Sequence, residues 1–159
     1  LSDTNAENNL GWIDVLGPQI KPVTASTGDQ SDYAILLGIL GPNVVVPLHS
    51  HPDRETFYVL EGAVEGYSAG KWHQLGAGDA FDVAPNKAHA WRNVSARQAK
   101  MLIVTTNKMS AFFQEIGKPA GPKEPPTPDE VALFLSTAEA YGYTIAQPSE
   151  NEAIGIHLS

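Results

Sequence analysis

The chain contains no cysteine. That excludes disulfides, thiolate metal ligands and cysteine nucleophiles, and it suits a reducing compartment. It also lacks any basic cluster. Lys and Arg total 10 against 18 Asp and Glu, a formal net charge of −8. A phosphate-backbone binder presents a basic face, so nucleic acid is not an expected partner. Long apolar runs are missing too. The longest, Ala34–Leu40, has seven residues, against the roughly 20 needed to cross a bilayer. No membrane partner is expected. The first residues, Leu1-Ser2-Asp3-Thr4-Asn5, are polar and carry no secretory signal, and the absence of Met fits a trimmed start. The expected location is the cytoplasm.

What the chain does have is 42% hydrophobic residues, with 14 Gly and 12 Pro spread among them. In 159 residues this is enough for one ordinary domain with a core. Residues 1–10 are Asn-rich and read as a frayed terminus. From Trp12 onward, short apolar or alternating runs follow one another: Trp12–Leu16, Ile20–Ala25, Tyr33–Leu40, Val44–Val46, Thr56–Leu60, Ala63–Ser68, Lys71–Leu75, Ala80–Val83, His89–Asn93 and Lys100–Thr105. Turn signals separate them, among them Gly17-Pro18, Ala69-Gly70 and Gly76-Ala77-Gly78-Asp79. Many short strands at this spacing predict a β-sandwich or barrel.

Near residue 107 the texture changes. Asn107 or Ser110 is placed to cap a short helix with Phe112 and Ile116 on its apolar face. Five prolines between 119 and 128 then predict a stiff, extended connector. Thr127 reads as an N-cap, Pro128 as the first helical residue, Asp129 and Glu130 as first-turn acids, and Gly142 as the stop. Between them Val131, Leu135, Ala138 and Tyr141 recur at helical spacing. The expectation is one domain over 1–159: a β core of about 12–105, then a connector and helical appendage over 107–142.

The chemistry lies in His49-Ser50-His51-Pro52-Asp53-Arg54-Glu55 and in a second stretch ending at His89. On a strand, residues i and i+2 point to one face, so His49 and His51 can converge on one point. Glu55 is four residues beyond His51, about 13 Å along a straight strand. If it joins the same point, the backbone must bend, and Pro52-Asp53 suits a bend. Beyond it Glu55, Phe57 and Val59 share a face. His89 would bring a third imidazole from a distant strand, with Trp91 on its face. Three neutral imidazoles and a carboxylate suit Mn, Fe, Co, Ni, Cu or Zn, and suit Ca or Mg poorly. Glu55 could instead pair with Arg54. His73 and His157 lack partners at ligand spacing and read as surface residues. Phe57, Val59 and Trp91 read equally as core or as the lining of a pocket for an apolar or aromatic small molecule. Asn93 reads as a residue that satisfies backbone groups.

These segments resemble the two motifs of the cupin superfamily. His49-Ser50-His51, three residues, Glu55, six residues and Gly62 follow the first; Gly78, Pro85, His89 and Asn93 follow the second. Gly41 precedes His49 by seven intervening residues rather than the commoner five, and Lys87 stands where a Gly often sits. Both departures concern turns. The resemblance covers about 33–105. It implies an all-β, double-stranded β-helix (jelly-roll) barrel with one or two C-terminal helices packed outside. It further implies one divalent transition metal on His49, His51, Glu55 and His89, and a homodimer. A small organic substrate at the metal, with Glu55 as base, implies an oxidoreductase similar to quercetin dioxygenases. A non-redox isomerase, lyase or hydrolase and a non-enzymatic binding module are the alternatives.

Overall fold

Alternating apolar residues with turns between them have produced two antiparallel sheets. The structure, a computed structural model, describes residues 11–158, so the expectation for 1–10 lies outside the described residues. In chain order the strands are β1 (Ile13–Asp14), β2 (Gln19–Pro22), β3 (Tyr33–Leu40), β4 (Val45–Ser50), β5 (Glu55–Glu61), β6 (Ala63–Ser68), β7 (Lys71–Gly76), β8 (Ala80–Val83), β9 (His89–Arg92) and β10 (Ala99–Thr106). Helix α1 (Asn107–Ile116), β11 (Lys118–Pro119), α2 (Pro128–Tyr141), β12 (Thr144–Ile145) and α3 (Pro148–Ala153) follow. One sheet runs β11-β1-β2-β3-β10-β5-β8, the other β12-β4-β9-β6-β7. This is a mostly-β jelly-roll. Its main core draws Leu36, Val59, Met101 and Ile103 from the first sheet and Val64 and Trp91 from the second.

The turns behave as their residues require. Ala69 and Gly70 both take positive φ, 51° and 82°, in the two-residue β6–β7 hairpin. Gly62 has φ +79°, and a Cβ there would lie 2.6 Å from the Gln98 carbonyl oxygen. No other residue fits that turn.

The appendage differs from expectation in three ways. The cap of α1 is Thr106, whose side chain accepts from Met109 N–H, rather than Asn107 or Ser110. Thr127 and Glu130 form the expected capping box of α2, and Gly142 closes it in the left-handed region at φ 79°. The buried face of α2, however, holds Thr137 and Ala138, with Phe134 and Tyr141 beside Phe112 of α1. Val131 and Leu135 stay 39% and 48% exposed. Aromatic contacts around Phe112 set the rotation of the helix. Finally, the chain beyond 142 is ordered into β12 and α3, which the sequence pattern did not signal. Asn151 of α3 is fully buried, and its Oδ1 accepts Leu48 N–H at 2.8 Å. Ile156 packs with Leu48 and Ala90, on the side of β4 and β9 away from the main core.

Candidate metal centre

β4 carries His49 and β9 carries His89 as direct partners in the ladder. The register shifts between Val46 and His49, so β4 has one extra residue there. Pro47, which lacks an N–H for the ladder, lies in this bulge. The bulge turns His49 inward, and its ring centroid lies 4.2 Å from that of His89. The strand ends at Ser50, and residues 51–54 bend before β5 begins at Glu55. This is the bend that Pro52-Asp53 led us to expect. His51 and Glu55 therefore approach instead of standing a strand's length apart. His51 Nε2 is 3.3 Å from Glu55 Oε1, and His89 Nε2 is 3.7 Å from the same oxygen.

One donor atom from each of His49, His51 and His89 lies within 4.8 Å of the others. His51, Glu55 and His89 are 3%, 3% and 1% exposed, and His49 is half-buried. Each imidazole is held from behind by a carbonyl: His49 Nδ1 by Pro47 O at 2.7 Å, His51 Nδ1 by Asp53 O at 2.8 Å and His89 Nδ1 by Lys87 O at 2.8 Å. A carbonyl only accepts, so Nδ1 carries the proton and Nε2 presents a lone pair. His51 Nε2 and His89 Nε2 are buried without a hydrogen-bond partner among the described residues. Lone pairs and a carboxylate facing one another in the interior are repulsive without a cation between them. The residues thus fit a metal ion, and His49, His51 and His89 could hold one. Imidazoles tied back to carbonyls are the usual support of such ligands.

The electrostatics of His49 and Glu55 agree, while His51 favours a proton that a bound metal would displace. Burial, then the neighbouring His89, lowers the His49 pKa to about 3, so this ring stays neutral. Burial alone would raise Glu55, but the imidazoles of His51 and His89 outweigh it and hold the carboxyl at about 2. Burial likewise opposes protonation of His51, yet its value is raised because Glu55 and the Asp53 carbonyl favour the cation.

Arg54 does not pair with Glu55. It bonds Asp82 on the surface at 2.8 Å. Arg92 bonds Glu65 at 2.8 Å and covers the Trp72 ring. His73 is half-buried with its ring edge near Phe81, and His157 is exposed. Phe57, Val59 and Trp91 are buried in the main core, the Phe57 and Trp91 rings 4.7 Å apart. Trp91 Nε1 has no hydrogen-bond partner among the described residues. Asn93 satisfies backbone groups as expected, donating to Leu40 O and Arg97 O and accepting from Ser95 N–H. Two hollows on the surface of the described residues lie elsewhere, one lined by Asp14, Lys118, Lys123 and Glu130, the other by Val64, Leu75 and Val94.

Two neighbours of the cluster escaped the sequence reading. Tyr143 packs its ring 5.6 Å from that of His51. Asp53, only 7% exposed, supplies the carbonyl behind His51. Tyr143 left no signal, since it lies far along the chain in a segment with no motif. The position of Asp53 inside the bend was visible, but its burial was not.

A family model described as a cupin domain matches residues 36–105. Among curated proteins, quercetin 2,3-dioxygenase of Bacillus subtilis (strain 168) is 27% identical over 106 residues, which is 65% of this chain and 31% of that protein. The chain therefore spans about a third of that relative. Among solved structures, KdgF from Halomonas sp. is similar with a TM-score of 0.53 and 23% identity, covering 60% of this chain and 84% of that one. A Cupin 2 conserved barrel domain protein from Salinispora arenicola CNS-205 gives 0.52 and 19%, covering 64% and 87%. At these identities the structural likeness concerns the fold. Motifs, fold and family match agree on one segment, and residues 36–105 are a cupin domain.

Proposed function

We propose that this chain binds one divalent transition metal (Mn, Fe, Co, Ni, Cu or Zn) through His49, His51, Glu55 and His89, and acts on a small organic molecule as a dioxygenase-type oxidoreductase. The observation that carries the proposal is the buried meeting of three imidazoles with the Glu55 carboxylate, where His51 Nε2 and His89 Nε2 have no hydrogen-bond partner among the described residues. A metal bound there supplies a Lewis acid with positions open to small ligands and, for a redox-active ion, one-electron chemistry. The chain's own residues do the rest. The carbonyls of Pro47, Asp53 and Lys87 orient the three rings. Glu55, the carboxylate at the centre, would be the base that takes a proton from an enol or phenol hydroxyl. In this proposal Phe57, Val59 and Trp91, packed in the main core, would supply the apolar side of the substrate site. The low identity to the dioxygenase supports the reading by resemblance. The same reading keeps a closed double-stranded β-helix barrel, a homodimer and a cytoplasmic location.

The test is elemental analysis of the freshly purified chain, followed by O₂-uptake assays on aromatic and enol-type compounds. We expect about one metal per chain and O₂ uptake that His89→Ala abolishes. Turnover that proceeds equally without O₂ would replace the oxidoreductase reading with a non-redox lyase or isomerase. Replacing His51 or His89 with Ala should remove most of the bound metal while the far-ultraviolet circular dichroism stays that of a folded β protein. Full occupancy in either variant contradicts the ligand assignment.

A further inference from the structure

The three imidazoles are supported unequally. Pro47 O and Lys87 O lie two residues before their histidines, the first within β4, the second in a turn closed by Lys87 N–H on Ala84 O. His51 uses a carbonyl two residues after it, Asp53 O, in a segment that belongs to no strand. Its aim therefore depends on whatever fixes residues 51–54.

Side chains from the end of β10 do this. Thr105 Oγ1 donates to Arg54 O at 3.0 Å. Thr106 Oγ1 donates to Asp53 Oδ1 in a short hydrogen bond, while accepting Met109 N–H at 3.1 Å as the cap of α1. On the near side Asn86 N–H bonds His51 O at 2.7 Å. The second Asp53 oxygen and the Tyr143 hydroxyl are both buried without a hydrogen-bond partner among the described residues. The Tyr143 ring lies against His51 itself, and the Asp53 carboxylate is among the groups that raise the Tyr143 phenol, after burial. Asp53 thus sits where the bend, the first turn of α1 and the start of β12 meet. A buried carboxylate is costly, and a purely structural bend needs none.

We infer that Asp53 is the positioning residue of His51: its carboxylate, anchored by Thr106, fixes the carbonyl that receives His51 Nδ1–H and so aims Nε2 at the shared point. The effect on metal binding rests on the reading above, while the positioning itself does not. Supporting groups of this kind change metal affinity by about 10–100-fold when removed.

The experiment uses the full chain with ¹⁵N-labelled histidine, as wild type, Asp53→Ala, Thr106→Val and Thr106→Ser. The imidazole N–H protons are recorded by NMR without metal, and Co²⁺ is then titrated, followed by its visible absorption. We expect the His51 Nδ1–H signal to vanish into solvent exchange in Asp53→Ala and to weaken in Thr106→Val. The His89 signal should persist, and Thr106→Ser should restore His51. Co²⁺ affinity should fall about 10–100-fold in the first two variants, with altered absorption bands, and return in the third. An Asp53→Ala chain that keeps the His51 signal and wild-type Co²⁺ binding overturns the inference. If Asp53→Ala does not fold, the Thr106 pair decides alone. A wild type that takes up no Co²⁺ sinks the metal reading, while the NMR signals still decide the positioning.

Discussion

His49 stays neutral down to about pH 3, and this governs how the metal-free centre responds to acid. Its folded value lies below its ordinary 6.5, so between those limits the unfolded chain takes up a proton that the folded chain refuses. Stability from this residue therefore falls as pH falls through that window, by at most about 1.4 kcal/mol per pH unit. Glu55, at about 2 against an ordinary 4.5, has the same sign: its contribution is full above 4.5 and is lost as pH drops through about 2. His51 has the opposite sign, because its folded value is raised; its contribution is full below 6.5 and is lost as pH rises through the folded value. Urea unfolding of metal-free wild type and His49→Asn at pH 7 and pH 4.5 separates these. The wild type should lose ground to the variant at the lower pH, and a constant difference would contradict a neutral His49. With metal bound, protons compete for the same nitrogens, so binding should weaken as pH drops through about 6. Undiminished binding at about pH 4 would argue against imidazole ligation.

At the scale of elements, the centre depends on irregular backbone. A bulge at Pro47 and a bend at 51–54 bring together residues that regular strands would separate. The bend was legible, because a straight strand could not bring Glu55 to His51 and Pro52-Asp53 offered the place to turn. The bulge was not, since a strand carrying one extra residue still reads as a strand. The same limit applies to α2. Val131 and Leu135 have helical spacing, but so do Phe134, Thr137, Ala138 and Tyr141, and only contact with Phe112 chooses between the faces. Helix α3 was invisible because its contribution is one buried amide rather than an apolar stripe. Asn151→Ala would leave Leu48 N–H buried and unpaired, at a cost of about 1–3 kcal/mol. Chemical denaturation should show that loss, and an unchanged midpoint would mean that α3 is not anchored there. Gly62→Ala should also destabilise, by more than about 1 kcal/mol, because its φ is +79° and the Gln98 carbonyl blocks the space.

For the whole molecule, the second sheet is covered on its inner face and on part of its outer face. Its inner face joins the main core, and its outer face near β4 and β9 lies under Ile154 and Ile156. The first sheet is not so covered. Tyr58, Leu60 and Val104 are 44%, 40% and 38% exposed, and Leu102 is flanked across its neighbouring strands by Leu37 and Tyr58. An apolar sheet face of this kind suits pairing of two copies. Light scattering should give twice the 17.0 kDa chain mass, and Val104→Glu should reduce it to one; a wild type of single-chain mass would remove the dimer. The motif residues were legible because a cupin-like spacing encodes them within two short stretches. The C-terminal contribution at Tyr143 was not, because it is made only when the chain folds back onto β4.

Anomalous X-ray diffraction from crystals of the purified, metal-loaded chain, collected at the absorption edge of the bound element, tests the central claim most directly. The account predicts a single strong peak per chain, within about 2.0–2.3 Å of Nε2 of His49, His51 and His89 and of a Glu55 oxygen. A peak elsewhere, or none between these four side chains, would contradict it.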